Sequence, residues 1–178
     1  MDIASTTGLL TALAALVLAA ITRSQLKHSR FALGVDLVLS LEDRFDAPDF
    51  QRQRAKAAAA LLNSADLDNV EPVLDFFETL GLLLRRRAVD PELVWSSFAH
   101  WILRYGALAQ PTIQARRRRD ADATYYSLFD ELLHAMRHVE AKKRGLTTPP
   151  TFAGDQLSAF LRDEVSLATP SPPAAEAS

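Results

Sequence analysis

The stretch Asn69-Val70-Glu71-Pro72-Val73-Leu74-Asp75-Phe76-Phe77-Glu78-Thr79-Leu80-Gly81-Leu82-Leu83-Leu84-Arg85-Arg86-Arg87 decides the fold class. Val73, Phe76, Phe77, Leu80, Leu83 and Leu84 recur at helical spacing, which predicts a helix over about 70–87 with Asn69 as its cap. Leu82 falls on the opposite side, so the helix reads as apolar nearly all round. Such helices sit in the middle of a bundle.

Working outward, Asp46-Ala47-Pro48 opens an alanine-rich helix over about 48–62, with Asp46 as N-cap candidate and proline in the first turn. A polar connection, Asn63 to Asn69, joins it to the central helix. Before it, Leu26, Leu33, Leu37, Val38, Leu41 and Phe45 form an apolar stripe over 24–46. On the other side, Asp90-Pro91 starts a helix over about 91–106, with Val94, Trp95, Phe98, Trp101, Ile102 and Tyr105 on one face. Pro111 punctuates, and a short helix leads into Arg116. Asp122 caps a last long helix over about 123–144, whose Leu128, Phe129, Leu132, Leu133, Met136 and Val139 face inward and which ends at Gly145.

No segment alternates with period two, so no sheet is expected. Thr147-Thr148-Pro149-Pro150 reads as a linker, and Leu157, Phe160, Leu161 and Val165 make a short amphipathic helix over 155–167, aimed at the body or at a partner. The Pro/Ala/Ser run from Thr169 to Ser178 is expected to be disordered. The expectation is an all-α chain: an N-terminal transmembrane helix in residues 1–23, a bundle of four to five helices in 24–145, and a linker, short helix and tail in 146–178.

The membrane expectation rests on Ile3 to Thr22, which holds no charged residue. Twenty helical residues rise about 30 Å, the thickness of a bilayer's hydrocarbon. The strongly apolar part is only Leu9 to Ile21, and a buried core helix is the competing reading. No positive region precedes the segment, as a cleaved signal requires, while Arg23, Lys27 and Arg30 follow it. The positive-inside rule then places the N-terminus outside the inner membrane and the helical body in the cytoplasm. No proline or glycine breaks the junction to the next helix, so the two can be continuous. Ala4, Gly8, Thr11, Ala12, Ala15 and Ala19 share one face, a stripe that lets membrane helices approach closely, although alanine is simply common here.

Composition narrows the function classes. The 178 residues are 48% hydrophobic and 24% charged with a net charge of -2, so there is no global pull toward nucleic acid or anionic lipid. With no cysteine, disulfides, thiolate metal sites and cysteine nucleophiles are excluded. Six glycines are few for a β-rich or nucleotide-binding fold. The excess of arginine over lysine, with abundant alanine, points to a high-GC bacterium.

The run Val73 to Leu83, followed by Val94-Trp95, Phe98, Trp101, Tyr105, Ile113, Arg116 and Tyr126, resembles a bacterial family known only as a domain of unknown function. The resemblance covers roughly residues 35 to 140. It implies a helical domain often preceded by one membrane helix, and it carries no mechanism.

Candidate sites are few. Glu131 and His134 match one Glu-x-x-His motif, but a di-iron bundle needs two, and Glu131, His134 and His138 face away from the apolar side. His100 also lies off the aromatic face, and His28 stands alone. Glu78 sits in a strongly apolar helix and must either reach the surface or find a partner, for which Arg104, Arg116 and Arg117 are candidates. An interhelical ion pair is the favoured reading, with a site carboxylate of raised pKa as the other. Trp95, Phe98, Trp101 and Tyr105 read as core first and as a ligand pocket second. Arg85–Arg87 and Arg116–Arg119 fall near helix C-termini, where positive charge is favoured, and an anionic-lipid patch is the alternative. Nothing supports nucleic acid, and no cofactor or metal is implied. The preferred function is a membrane-anchored interaction or scaffold protein that binds a protein partner or itself, rather than an enzyme. The alternative is a ligand-binding or enzymatic domain built on Glu78 and the aromatic helix.

Overall fold

The computed structural model describes residues 3–63, 67–149 and 151–167; within the first helix the side chains of 3–17, 19–21, 26–28 and 30 lie outside that description. Among the described residues there are six α-helices, one 3-10 turn and no strand. They are α1 (Ile3–Asp46), α2 (Pro48–Leu62), the turn Leu67–Asn69, α3 (Glu71–Arg85), α4 (Pro91–Asp120), α5 (Ser127–Arg144) and α6 (Gly154–Ser166).

The punctuation by proline is obeyed at two starts. Pro48 begins α2 after an extended Ala47, although Asp46 is not the cap. Pro91 begins α4, and the Asp90 carboxylate accepts the N–H groups of Glu92 and Leu93 at 2.8 and 3.3 Å. At α3 the N-cap is Val70 and no side chain caps it. Gly145 closes α5 in the left-handed region at φ 64°, which glycine adopts without strain.

Three expectations are corrected. Pro111 does not end a helix, because α4 runs through it to Asp120. The proline removes one backbone hydrogen bond, but fully buried Ala109 and Ile113 hold the far half of α4 in the core, and packing overrides the local preference. The last helix begins at Ser127, not 123, because Asp122 instead accepts from the backbone and hydroxyl of Thr124 at 2.8 and 2.6 Å. α3 is amphipathic rather than apolar all round: Asp75, Thr79 and Leu82 are exposed, opposite the buried Val73, Phe76, Phe77 and Leu80.

The core is a chain of phenylalanines. Phe45 of α1 lies 5.1 Å from Phe76 and 5.6 Å from Phe98, and Phe77 stacks on Phe129 at 5.7 Å. α3 lies against α5 with a close backbone approach at Gly81, where a Cβ would stand 2.3 Å from the Leu128 carbonyl oxygen. The amphipathic C-terminal segment finds its target within the body, since α6 docks on α2 and α4 through buried Phe160 and Leu161.

α1 is one helix of 44 residues. Among its described residues burial begins at Gly34 and continues with Val38, Leu41 and Phe45; Phe31 and Leu33 are 62% and 68% exposed, against the expected inward place of Leu33. Among the described residues no helix is long and apolar enough to cross a membrane. The charge-free segment 3–22, the stripe Gly8, Ala12, Ala15 and Ala19, and the side chain of His28 fall almost wholly outside the described side chains, and the tail 169–178 lies outside the described residues.

Candidate functional site

The feature that stands out is a buried charge pair between α2 and α6. Phe50, Arg54, Ala57, Ala58 and Leu61 share the inward face of α2, which brings Arg54 to 3% exposure among apolar neighbours. On α6, Phe160, Leu161 and Glu164 share the docked face, and Glu164 is 5% exposed. Arg54 Nε and Nη2 donate to the two Glu164 carboxylate oxygens at 2.8 and 2.6 Å, a bidentate fork. The guanidinium lies over the Phe45 ring at 4.1 Å, and its remaining nitrogen donates to the Phe45 carbonyl at 3.3 Å.

The aromatic helix α4 completes the site. Trp101 Nε1 donates to Glu164 at 3.0 Å, and the Tyr105 hydroxyl donates to it at 3.3 Å. Arg54, Trp101 and Tyr105 therefore direct four donors at one carboxylate, about as many as it accepts. Burial and the neighbouring Glu164 charge push the Tyr105 phenol well above its usual range. His100 stands at the rim, 5.2 Å from Trp101 and 5.6 Å from Phe160, with its pKa lowered by burial and then by Arg104. An open cleft of about 350 Å³ between α4 and α6 reaches the edge of the pair at Arg54, His100, Trp101 and Arg104.

Trp95, one end of the same aromatic row, serves a different acid. Its Nε1 donates at 2.6 Å to Glu140 of α5, which also holds Arg144 at 2.5 Å and is nearly buried. These residues line a second cleft of about 260 Å³ with Arg104 and Phe152. Arg104 lies over Phe152 at 4.9 Å and bonds the His100 carbonyl at 2.9 Å. Its pKa is lowered by burial and then by Arg144.

The arginines expected to meet Glu78 do not. Glu78 caps α5 instead, accepting the N–H groups of Leu128 and Phe129 at 3.2 and 2.6 Å, because α3 and α5 lie so close at Gly81. Arg116 pairs with Asp120 at 2.8 Å, and Arg117 with Asp130 at 2.7 Å and with the Tyr125 carbonyl. The Arg117 contacts fasten the end of α4 to the turn before α5 and to the first turn of α5. Arg85 approaches Glu131 at 3.8 Å. Glu131, His134 and His138 are exposed, on the outer side of α5 as expected. Of the aromatic row, Phe98 is core, while Trp95, Trp101 and Tyr105 each hold a buried acid.

Sequence reasoning missed Arg54, Glu140 and Glu164. The signal was spacing: Arg54 lies four residues after Phe50, Glu140 four after Met136, and Glu164 four after Phe160. A charge at the inward period of a helix announces a buried partner elsewhere.

No curated protein and no solved structure matches the chain. One family model matches residues 3–136, from the first residue of α1 to the middle of α5, so Arg54, Trp101 and Tyr105 lie within the match and Glu140 and α6 beyond it. With most of its length covered, the chain belongs to DUF4760, a domain of unknown function.

Proposed function

We propose that the protein is a membrane-tethered helical interaction module, anchored by residues 3–22 with its N-terminus outside the inner membrane and its helical body on the cytoplasmic face. The observation that carries this reading is the geometry of α1. It is a single helix from Ile3 to Asp46, yet among its described residues burial starts only at Gly34. Among the described side chains before that point, Leu18, Thr22 to Gln25, Ser29 and Phe31 to Leu33 are exposed. A charge-free run that continues a helix whose described side chains ahead of Gly34 are exposed needs another apolar surrounding, and a bilayer supplies one. Arg23, Lys27 and Arg30 then suit the cytoplasmic headgroups.

The interaction half of the reading rests on chemistry already in use. Glu78, Glu140 and Glu164 all hold structural partners, which favours a binding module over an enzyme built on Glu78. In this reading Gly8, Ala12, Ala15 and Ala19 form the face that meets a second membrane helix. Arg86 and Arg87, exposed at the end of α3, are available to anionic lipid; nucleic acid gains no support.

The test is fractionation of the tagged full-length chain beside one starting at Ser24, with a carbonate wash. The full chain should stay in the membrane pellet and the shorter one should be soluble. Both in the supernatant would overturn the anchor. Because the chain has no cysteine, single cysteines introduced at Ala12 and Leu13 report the helix face: disulfide crosslinking should favour Ala12.

A further inference from the structure

The carboxylate receptor is built without α6. Its donors, Arg54 Nε and Nη2, Trp101 Nε1 and the Tyr105 hydroxyl, come from α2 and α4. All of them lie inside the family match, whereas Glu164 comes from a helix beyond it. Arg54 is held in place by the Phe45 ring and carbonyl, so it cannot turn to water while the groove is covered. α6 itself is a 13-residue helix whose buried contacts are Phe160, Leu161 and Glu164. It follows an exposed stretch, Leu146 to Pro149. Short helices do not sustain themselves in water, so α6 is ordered by what it docks on.

This is the pattern of a helix laid in a groove, read at positions i, i+1 and i+4. Selectivity comes from the arginine. A helix that fills the apolar part but brings no acid leaves the buried Arg54 with only the exposed Asp46 carboxylate, 3.8 Å from Nη1, as counter-charge, and its two-pronged contact unmet, which is disfavoured. Resting on the interaction-module reading, we propose that the α2–α4 groove is the docking site for a partner protein's amphipathic helix carrying a glutamate four residues after an aromatic residue, and that α6 is the chain's own exchangeable occupant.

The experiment uses the full-length chain in mild detergent, with a protease recognition sequence inserted after Thr148. The chain folds intact and is then cut. A fluorescent peptide of residues 151–168 is added, and anisotropy reports binding. The labelled peptide should replace the cut α6. Glu164→Gln in the peptide should weaken binding about tenfold or more, since a charge-assisted pair is lost. Asp163→Asn, at an exposed neighbour, should change it less than about twofold. An uncut chain should bind the peptide far more weakly than the cut one. A cut chain that unfolds, or that stays folded and never exchanges α6, would make α6 an integral part of the body and overturn the proposal. So would a Glu164→Gln peptide that binds as well as the original. Energy transfer between differently labelled uncut chains, reporting α6 swapped between copies, would replace the partner with a second copy. None of these readouts involves residues 3–22, so the anchor and the groove stand or fall separately.

Discussion

The carboxylate of Glu78 on α3 accepts the backbone N–H of Phe129 on α5 at 2.6 Å, so one helix begins on a side chain supplied 51 residues earlier. The turn before α5 does not cap it: Tyr126, at the N-cap position, has φ 55° and no side-chain bond to the helix. An acid at this place satisfies free N–H groups and meets the positive end of the helix dipole.

Glu78→Ala should therefore destabilise the protein by about 1–2 kcal/mol, a drop of roughly 2–8 °C in melting temperature for a chain of this size. Glu78→Gln keeps an acceptor and should lose about half as much. Thermal melts by circular dichroism check both. A Glu78→Ala chain that melts with the parent would remove the cap from any account of stability.

Two glycines separate hard from soft neighbours. A Cβ on Gly81 meets the backbone oxygen of Leu128 at 2.3 Å, while a Cβ on Gly106 meets the side-chain tip of Leu133 at 2.5 Å. A rotamer change relieves the second and only a shift of α5 relieves the first. Gly81→Ala should cost about 3 kcal/mol. Gly106→Ala should lie within about 1 kcal/mol of the parent, since alanine's helix propensity offsets the crowding. Denaturant midpoints measured side by side decide it, and equal losses would contradict the packing described.

Removing one member of the Arg54–Glu164 pair and removing both should differ. Glu164→Ala leaves a buried guanidinium with only the exposed Asp46 beside it, at a cost of up to about 3–5 kcal/mol if α6 stays docked. Undocking lets Arg54 hydrate, so the measured loss stops at the docking free energy of α6. Hydrogen exchange should then show α6 amides unprotected while those of α3 keep their protection. The double variant Arg54→Met, Glu164→Leu should recover much of the loss. A double variant as impaired as the single one would mean that the pair contributes more than mutual neutralisation.

The chain's three tyrosines give a pH signature. Burial raises the pKa of each, reinforced by Glu164 at Tyr105, Glu71 at Tyr125 and Asp75 at Tyr126. The folded state thus holds its phenols neutral beyond their usual value of about 10. Their contribution is full below that value and is lost as pH rises past it, because only the unfolded chain ionises. Phenolate absorbance should appear together with the loss of helical dichroism. A phenolate band rising near pH 10 with helicity intact would count against it.

The sequence was most legible where single residues act locally. Pro48, Asp90-Pro91 and Gly145 placed helix ends correctly because each acts on backbone within four residues of itself. It was least legible where a distant partner decides. Pro111 is tolerated because Ile113 is fully buried, and α5 starts late because Tyr125 and Tyr126 reach back to Glu71 and Asp75 at 3.0 and 2.9 Å. At the candidate site, the row Trp95, Trp101 and Tyr105 was visible, but its use was not. Apolar periodicity passes over a charged residue, so Arg54, Glu140 and Glu164 were hidden by their own type. Glu78 stood out as an acid that must reach the surface or find a partner, but it does not meet the arginines expected for it; that it caps a backbone depends on the approach of α3 to α5 at Gly81.

α1 has one more consequence. Forty-four helical residues without a proline extend about 66 Å, and such a rod resists twisting as well as bending. Its last turns are keyed into the body by Val38, Leu41 and Phe45, so the body cannot spin freely about it. The rod works as a shaft with a fixed phase. One residue inserted between Thr22 and Phe31 would rotate everything beyond it by about 100°, whereas an insertion of about seven, close to two full turns, would restore the heading at greater reach. Whatever the body faces is thus set by an angular register written in the length of a single helix.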